Sequence, residues 1–429
     1  MNKTLPLLHI NTGTLALPEL MAFIEQRCSD LMLMPAVCHK IQLAAEEVTT
    51  ALPENTPLSI QVQERADRIT LTLTCPPVEM DLSAFNLAWR PDLEKDASGL
   101  GLALASRWVD FFSLEKDQSR RLHLTFSVEK VFDQPVPLPP PLATHRFYRL
   151  IRPTPETMAA CGQRLFHHIK GISPDTKTFH PARLAALTAE GKLFGALAET
   201  ESGEVAGAAF CIPEEGRLLR GYGPFVFTDK DRLRMAEDLA CHCLERVGRK
   251  PFSGVLTRIF DEDCFPEKFY IPAGGHARSD KKAAWHFPLC DDAGGLLHYT
   301  ADIAAFIDTA VTRQDLPRKK ILIESNLCEA KGPGVFSSSL NRKEKKCRMR
   351  PLLAGEDMEA NLEAHLCWFQ EEGINLCEMY LDLAKTEEAS LLPLLSQKGF
   401  SPTLLLPGGG SLGDLLILEA RMGQKGECA

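Results

Sequence analysis

Two short stretches of the chain carry residue types that could act on a phosphate-bearing ligand. The stretch Leu43–Ala51 contains adjacent glutamates, and a carboxylate can take a proton from an attacking hydroxyl group. The stretch Ser98–Leu102 contains two glycines, which at the start of a helix let backbone N–H groups approach an anion. The candidate catalytic residue is Glu47, and the candidate ligand-binding residues are Thr50, Asp81, Gly99, Leu100 and Gly101.

Hydrophobic periodicity predicts the elements that must position these residues. Apolar residues recur at helical spacing across Pro35–Leu52, which predicts an amphipathic helix carrying both glutamates. Alternating runs predict strands at Leu58–Gln63, Arg68–Thr74 and Leu122–Val128, and the glycine turn opens a second helix over Ala103–Val109. We expect an α+β fold in which an antiparallel sheet is covered on one face by helices.

The two stretches together resemble a known family. Leu43–Ala51 resembles the N-box of the GHKL ATPases, most closely in the branch of the anti-sigma-factor serine kinases, and Ser98–Leu102 with Trp108–Asp110 resembles the second glycine box of that branch and its helix. The resemblance implies a GHKL-type α/β sandwich that binds ATP, with Glu47 as the general base of a serine kinase. It also implies a protein partner, either a sigma factor or an anti-sigma antagonist, and homodimerisation through this part of the chain.

The sequence departs from the family pattern at two ligand positions. Ala51 stands where the family has an asparagine that helps to hold magnesium, and alanine offers no ligand atom. Cys75–Pro77 stand where the family has an adenine-binding aspartate and a glycine, but a thiol is a poor acceptor and proline has no N–H group. We therefore expect a degenerate site that binds ATP weakly or in an altered way, and magnesium binding is left open.

A proline-rich run, Pro135–Pro141, follows this first part and predicts a semi-rigid spacer. Beyond the spacer, the order strand, helix, strand occurs twice, which indicates a tandem duplication. The first copy is predicted at Leu218–Phe227, Asp229–Val247 and Ser253–Phe260, and the second at Cys347–Leu353, Glu356–Glu372 and Ile374–Leu383.

The duplicated part is similar to GNAT-type acyltransferases, in two copies. The similarity lies in the order of the elements and in Leu193–Ala198, Glu204–Ala209 and Lys398–Phe400. It implies two mixed-sheet α/β domains. GNAT enzymes bind the pyrophosphate of acetyl-CoA at a basic, glycine-rich turn. The corresponding turns here, Thr228–Arg232 and Ala354–Asp357, are poor in glycine and carry carboxylates, which repel phosphate, so acetyl-CoA binding is not expected.

Composition argues against several classes of partner. The net charge of −9 and the pI near 5.8 argue against general nucleic-acid binding. No run of about 18 apolar residues predicts a membrane helix, and the N-terminus lacks the apolar region of a signal peptide. The 14 cysteines show no C-x-x-C spacing, so no metal site is predicted, and they fit a reducing compartment. We expect a cytoplasmic protein without nucleic-acid or membrane partners.

Two further features are expected to have structural roles. The acidic run Asp261–Asp263, followed by Cys264, is interpreted as a solvated loop after a strand rather than a metal or nucleophile site. The run Gly408–Gly410 is interpreted as a flexible hairpin tip.

These observations give a predicted domain organisation and three functional hypotheses. The predicted domains are a GHKL-like ATPase domain at 1–132, a proline-rich linker at 133–145, and GNAT-like domains at 146–310 and 311–429. The leading hypothesis is a bacterial regulatory protein that acts through protein–protein interaction, or partner switching. The alternatives are an acetyl-CoA-dependent N-acyltransferase and an active ATP-dependent serine kinase.

Overall fold

The chain, seen in a computed structural model, divides into two compact units. One unit contains Met1–Lys130, Asn326–Tyr380 and Ala420–Ala429, and the other contains Val131–Ser325 and Leu381–Glu419. No helix in the described ranges is long and apolar enough to cross a membrane. The structure describes residues 6–13, 16–77, 82–86, 88, 100–117, 119, 121–132, 136–143, 146–171, 177–213, 217–273, 284–289, 292, 294–323, 332–341 and 345–422.

The first sheet is antiparallel and is packed against three helices. Its strands are β1 (Leu7–Asn11), β2 (Pro57–Glu64), β3 (Arg68–Cys75), β4 (Phe111–Lys116) and β5 (Leu122–Glu129), and the helices are α1 (Ala16–Asp30), α2 (Pro35–Ala51) and α3 (Leu100–Trp108). The strand order is β1–β2–β3–β5–β4. Ile41 of α2, Leu71 of β3 and Leu124 of β5 belong to one hydrophobic core. The predicted antiparallel sheet with its helices is confirmed, and β1, α1 and β4 are additional to it.

The second sheet has seven strands and belongs to the second unit. Its elements are β6 (Tyr148–Ile151), α4 (Pro155–His168), α5 (Pro181–Ala189), β7 (Phe194–Thr200), β8 (Val205–Pro213), β9 (Leu218–Val226), α6 (Arg232–Val247), β10 (Gly254–Ile259), β11 (Ile271–Pro272) and β12 (Trp285–Pro288). The strand order is β6–β7–β8–β9–β10–β12–β11. The connection from β9 to β10 runs through α6, and these two strands are parallel.

The remaining elements form a two-stranded and a five-stranded sheet. They are β13 (Gly295–Tyr299), α7 (Ala304–Arg313), β14 (Arg318–Leu322), β15 (Val335–Asn341), β16 (Lys346–Leu353), α8 (Met358–Glu371), β17 (Leu376–Asp382), α9 (Thr386–Ala389), α10 (Leu392–Gln397), β18 (Ser401–Leu406) and β19 (Leu415–Arg421). Strands β13 and β14 pair in parallel. The order in the larger sheet is β15–β16–β17–β19–β18.

The repeated order predicted from the sequence is present in the sheets. Helix α6 joins the parallel strands β9 and β10, and α8 joins the parallel strands β16 and β17. The strands that follow also correspond, because β10–β12–β11 and β17–β19–β18 have the same order in their sheets. The repetition of strand, helix and strand is therefore confirmed, while the predicted domain boundaries stay a prediction.

The first unit joins segments that are far apart in sequence. The Asn86 side chain donates to the Gly334 carbonyl at 2.9 Å and accepts from the Phe336 N–H at 2.9 Å. The Ser337 hydroxyl donates to the Phe112 carbonyl at 2.8 Å. Because Asn86 is buried, both polar atoms of its side-chain amide need partners. Gly334, just before β15, and Phe336, within β15, provide them.

The described part of the proline-rich segment, residues 136–143, lies against α4. The Arg164 guanidinium donates to the Pro140 carbonyl at 3.0 Å, and the His167 ring nitrogen Nε2 lies 3.1 Å from the Val136 carbonyl. Proline offers only a carbonyl group for hydrogen bonding, so basic side chains of a neighbouring helix are suitable partners. This part of the predicted spacer is held by the second unit, and its role as a linker stays a prediction.

A buried ion triad joins distant parts of the second unit. The Arg318 guanidinium bonds Asp414 at 2.5 and 2.9 Å and Asp292 at 2.7 Å. The Arg318 side chain is 4% exposed and that of Asp414 is 3% exposed. The bidentate geometry matches the planar guanidinium to the carboxylate, and each charge needs the other in a buried position.

The run Gly408–Gly410 lies in the loop of the hairpin formed by β18 and β19, as expected, but the backbone of this loop is bonded to buried carboxylates. Asp414 accepts from the Gly408 N–H at 3.0 Å, and Asp382 accepts from the Leu412 N–H at 2.7 Å. A Cβ atom on Gly410 would overlap the Asp382 carboxylate, and one on Gly409 would overlap the Leu218 side chain, so the absence of side chains permits this close packing. The glycines therefore serve a close approach and not a loose turn.

His286 of β12 is a buried imidazole whose two ring nitrogens have no hydrogen-bond partner among the described residues. Its ring packs where a side chain on Gly254 would otherwise lie. Burial lowers the pKa of His286 from 6.5 to about 4, because the charged ring cannot be solvated there.

The ion triad gives the first prediction. Arg318→Met should lower the free energy of unfolding of the second unit by about 3–5 kcal/mol, because it leaves the buried Asp414 carboxylate unpaired. Urea unfolding followed by circular dichroism measures this change. The control is Lys320→Met, on the same strand as Arg318. It removes an exposed ion pair with Asp308 of α7 and should leave the midpoint unchanged. Equal midpoints for both variants would contradict the prediction.

The buried imidazole gives a pH-dependent prediction. In the folded state His286 stays neutral, whereas the unfolded chain takes up the proton near pH 6.5, so stability is present above that pH and is lost as the pH falls toward 4. His286 should contribute a loss of about 2 kcal/mol between about pH 7 and pH 5. His286→Leu should flatten the urea midpoint against pH by that amount, and a slope equal to that of the wild type would contradict the prediction.

Candidate functional site

Helix α2 places the predicted catalytic glutamate at a partly buried position. The helix begins with Pro35 at its first turn, where a missing N–H group is harmless. Glu46 is exposed, whereas Glu47 is partly buried. Thr50, a predicted ligand-binding residue, is exposed near the end of the helix.

Glu47 and Gly101 are brought together by the packing of α2 on α3. A Cβ atom added to Gly101 would overlap the Glu47 carboxylate, so that carboxylate lies directly against the glycine backbone. Gly101 is the second residue of α3, and the first turn of a helix carries unpaired N–H groups and a partial positive charge. The glycine leaves room for an anion at the helix start, and in this structure the neighbouring anion is Glu47.

The environment of Glu47 favours its neutral form. Burial raises the pKa of Glu47, and the negative charge of Glu46 raises it further. A raised pKa makes a carboxyl group better suited to accept and release a proton. The start of α3 has the opposite effect on Glu47, because its partial positive charge favours the ionised carboxylate.

Of the other predicted ligand-binding residues, the structure describes Thr50 and Leu100. Leu100 is the first residue of α3. Asp81 and Gly99 lie outside the described residues. The assignments of Glu47 as a base and of Thr50, Asp81, Gly99, Leu100 and Gly101 as ligand-binding residues therefore stay predictions, and the Glu47–Gly101 contact is the part that the geometry brings together.

A cavity of about 490 Å³ in the first unit was not predicted from the sequence. One wall is formed by α8 and the residue before it. The other is formed by residues of the segment 83–88, which follows β3 in the chain. Its lining residues are Ser83, Asn86, Ala88, Asp357, Ala360, Asn361, Ala364, Cys367 and Glu371. The alanines at positions 360 and 364 share one helix face. This spacing is common on packed helices, so the sequence held no signal that distinguished a cavity wall from a core face.

In the second unit, β9 and β10 pair only over part of their length. Their register runs from Leu218 opposite Gly254 to Tyr222 opposite Ile259, with an irregularity at the last pair, and β9 continues to Val226. Beyond the paired region, the Asp261 carboxylate accepts from the Val226 N–H at 2.9 Å. A side chain thus replaces the strand partner at the end of β9.

The acidic run after β10 agrees with the expected solvated loop at Glu262 and Asp263, which are exposed, whereas Asp261 and Cys264 are buried. Ligand atoms of Asp261, Asp263 and Cys264 lie within 4.8 Å of one another. The Arg232 guanidinium is 3.0 Å from the Asp263 carboxylate and 3.6 Å from that of Asp261, so the chain itself supplies positive charge here. Burial, with the two nearby carboxylates, raises the pKa of the Cys264 thiol to about 12, so this thiol is not a reactive thiolate at neutral pH.

Comparison with known proteins gives limited similarity. No family model and no curated protein matches the chain. One similar solved structure is a GNAT family N-acetyltransferase (YhbS) from Escherichia coli in complex with CoA, with 16% identity over 35% of this chain and 87% of that chain and a TM-score of 0.27. Another is an acetyltransferase of the GNAT family from Staphylococcus aureus Mu50, with 9% identity over 33% of this chain and 99% of that chain and a TM-score of 0.27.

These identities and TM-scores are too low to carry an argument about function. The GNAT resemblance seen in the sequence has counterparts among solved structures over about a third of the chain. The GHKL resemblance has no such counterpart in these two structures and stays a prediction.

The contact between Glu47 and Gly101 predicts energetic coupling of the two positions. In the wild-type background, Gly101→Ala should force the Glu47 carboxylate away from the start of α3. In a Glu47→Ala background the same change should be neutral or stabilising, since alanine favours a helix over glycine by about 1 kcal/mol. A double-mutant cycle measured by urea unfolding should give a coupling of about 1 kcal/mol. The exposed Glu46→Ala is the matched background, and equal coupling there would argue against the contact.

Proposed function

We propose that the chain is a nucleotide-binding regulatory protein whose anion site lies at the start of α3, next to Glu47. The observation that supports this proposal is the position of the Glu47 carboxylate against Gly101 at the first turn of that helix. A helix start with a glycine is suited to a phosphate group. From the sequence, Gly101 was predicted to bind such a ligand and Glu47 to act as the base.

The charge of Glu47 sets how strongly such a site can bind. A carboxylate next to the glycine competes with a phosphate for the N–H groups of the first turn and repels it. Binding of an adenine nucleotide therefore requires the Glu47 side chain to rotate away or to take up a proton. The raised pKa of Glu47 makes the second route accessible at a higher pH than for an exposed glutamate.

The residues at the site fit a magnesium ion poorly. Ala51 offers no ligand atom, and Thr50 is exposed at the end of α2. Magnesium prefers several oxygen ligands in octahedral geometry, and a bound nucleotide would have to supply most of them. This supports nucleotide binding without efficient phosphate transfer, so Glu47 as a general base remains a subsidiary hypothesis.

The proposed regulatory role depends on a protein partner. The resemblance to anti-sigma-factor serine kinases suggests a sigma factor or an anti-sigma antagonist, bound with an affinity that depends on the nucleotide. A degenerate site is compatible with this role, because a binding switch needs a difference in affinity between two states and not turnover.

An acyltransferase is the second candidate, favoured by the GNAT resemblance and by the incomplete pairing of β9 and β10. The Asp261 carboxylate at the end of β9 and the glycine-poor turn before α6 count against it. Asp261 accepts from the Val226 N–H, so this backbone donor is not free for an external ligand. We therefore rank this candidate below nucleotide binding.

Calorimetric titration tests the proposal. ATP and ADP, each with and without magnesium, are titrated into the wild-type protein and into Glu47→Gln. Removal of the competing charge should tighten nucleotide binding about fivefold or more, whereas a residue that only catalyses would leave affinity unchanged. Glu46→Gln, which removes an adjacent exposed charge, is the matched control and should change affinity less.

The same titration separates the two candidate functions. Acetyl-CoA, which also carries a nucleotide, serves as the competing ligand. Binding of ATP or ADP that responds to Glu47→Gln supports the nucleotide site. Binding of acetyl-CoA that ignores this substitution would support the acyltransferase instead. Absence of binding by ATP and ADP to both proteins would refute the nucleotide proposal.

A further inference from the structure

The Asp261 carboxylate is surrounded by donors from three different elements. Its Oδ1 atom lies 2.6 Å from Nε2 of His168, at the end of α4. Its Oδ2 atom accepts from the Val226 N–H of β9 at 2.9 Å and lies 3.6 Å from the Arg232 guanidinium of α6. A carboxylate can only accept, so the Nε2 atom of His168 must carry a proton in this contact.

These donors are held in place by contacts that do not involve Asp261. The Arg232 guanidinium also bonds the Asp263 carboxylate at 3.0 Å and the Val226 carbonyl at 3.0 Å. The His168 ring packs edge-on against Phe225 and Phe227. Removal of the Asp261 carboxylate would therefore leave an arrangement of donors that still converge on one point.

The Asp261 side chain is buried, but residues that follow it in the chain lie at the surface. Asp261 is 5% exposed, whereas the carboxylate of Asp263 is 67% exposed in the turn that follows. An imidazole, a guanidinium and a backbone N–H group are the donors that proteins use to bind carboxylates. A cation would be opposed here by Arg232, so the chemistry of the site favours an anion.

We propose that the end of β9 is a carboxylate-binding site and that Asp261 is its internal occupant. An external molecule can bind its carboxylate to His168, Val226 and Arg232 only when the Asp261 side chain is withdrawn. The contact is thus autoinhibitory. This inference does not depend on the nucleotide site at α3, which lies in the other unit.

Chemical rescue with formate tests the proposal, because formate is the smallest carboxylate and fits the volume that the missing side-chain carboxylate leaves. Asp261→Ala should have a lowered thermal midpoint, and about 0.2 M sodium formate should raise it by about 2–4 °C relative to the same concentration of sodium chloride. The full chain is used throughout.

Two variants serve as matched controls. Asp261→Asn keeps a side chain of the same size in the site, and Asp263→Ala removes the exposed partner of Arg232; neither should respond to formate more than the wild type does. A response confined to Asp261→Ala supports the site. Responses of equal size in all the proteins, or none in Asp261→Ala, would overturn it.

The proposal stays testable if Asp261→Ala does not fold in chloride. Its soluble yield after refolding is then compared in formate and in chloride. A several-fold higher yield in formate supports the site, and equal yields overturn it.

Discussion

Backbone N–H groups that no strand or helix partner reaches need another acceptor, and in the second unit buried carboxylates provide it. Asp261 accepts from Val226 at the end of β9. Asp414 accepts from Gly408, and Asp382 accepts from Leu412, in the loop between β18 and β19. Asp261 thus takes the place of a strand partner at the end of β9, whereas Asp414 and Asp382 hold the backbone of a loop.

A buried carboxylate creates a second requirement, because its charge must also be balanced. Arg318 balances Asp414, and Arg232 lies close to Asp261. The position of β14, which carries Arg318, is thus tied to the loop that Asp414 orders. Charged contacts therefore hold irregular parts of this unit in place.

Both candidate anion sites already contain a carboxylate of the protein. Glu47 lies at the start of α3, and Asp261 lies at the end of β9. A side chain that competes from within the same protein has an effective concentration of about millimolar or more. An external anion therefore needs a higher affinity than it would need at an empty site. The two sites share this property although they lie in different units and on unrelated elements.

The sequence predicted those parts of the fold that depend on local periodicity. Helix α2 followed from apolar residues at helical spacing, and β9, α6 and β10 followed from a pattern that recurs in β16, α8 and β17. The Glu47–Gly101 pair followed from comparison with a family motif. These features are encoded in short stretches, where the period of the apolar residues decides between helix and strand.

The remaining features depend on partners that are distant in sequence. Nothing near Asp414 indicates that it bonds Arg318, which is 96 positions away, and the glycines beside it gave the opposite prediction of a flexible tip. The acidic run at Asp261 was interpreted as a solvated loop, which holds for the exposed Glu262 and Asp263. The burial of Asp261 could not be predicted, because its three donors come from separate elements. Composition alone does not distinguish a glycine that gives freedom from a glycine that permits close contact.

The contacts of Asn86 have a consequence for synthesis on the ribosome. Asn86 and Phe336 are 250 positions apart in the chain. At a translation rate of about 5–20 residues per second, roughly 12–50 s pass between the addition of the first residue and that of the second. During this interval the nascent N-terminal sheet lacks the strand that later satisfies the Asn86 amide, so completion of the first unit is delayed until most of the polypeptide has been made.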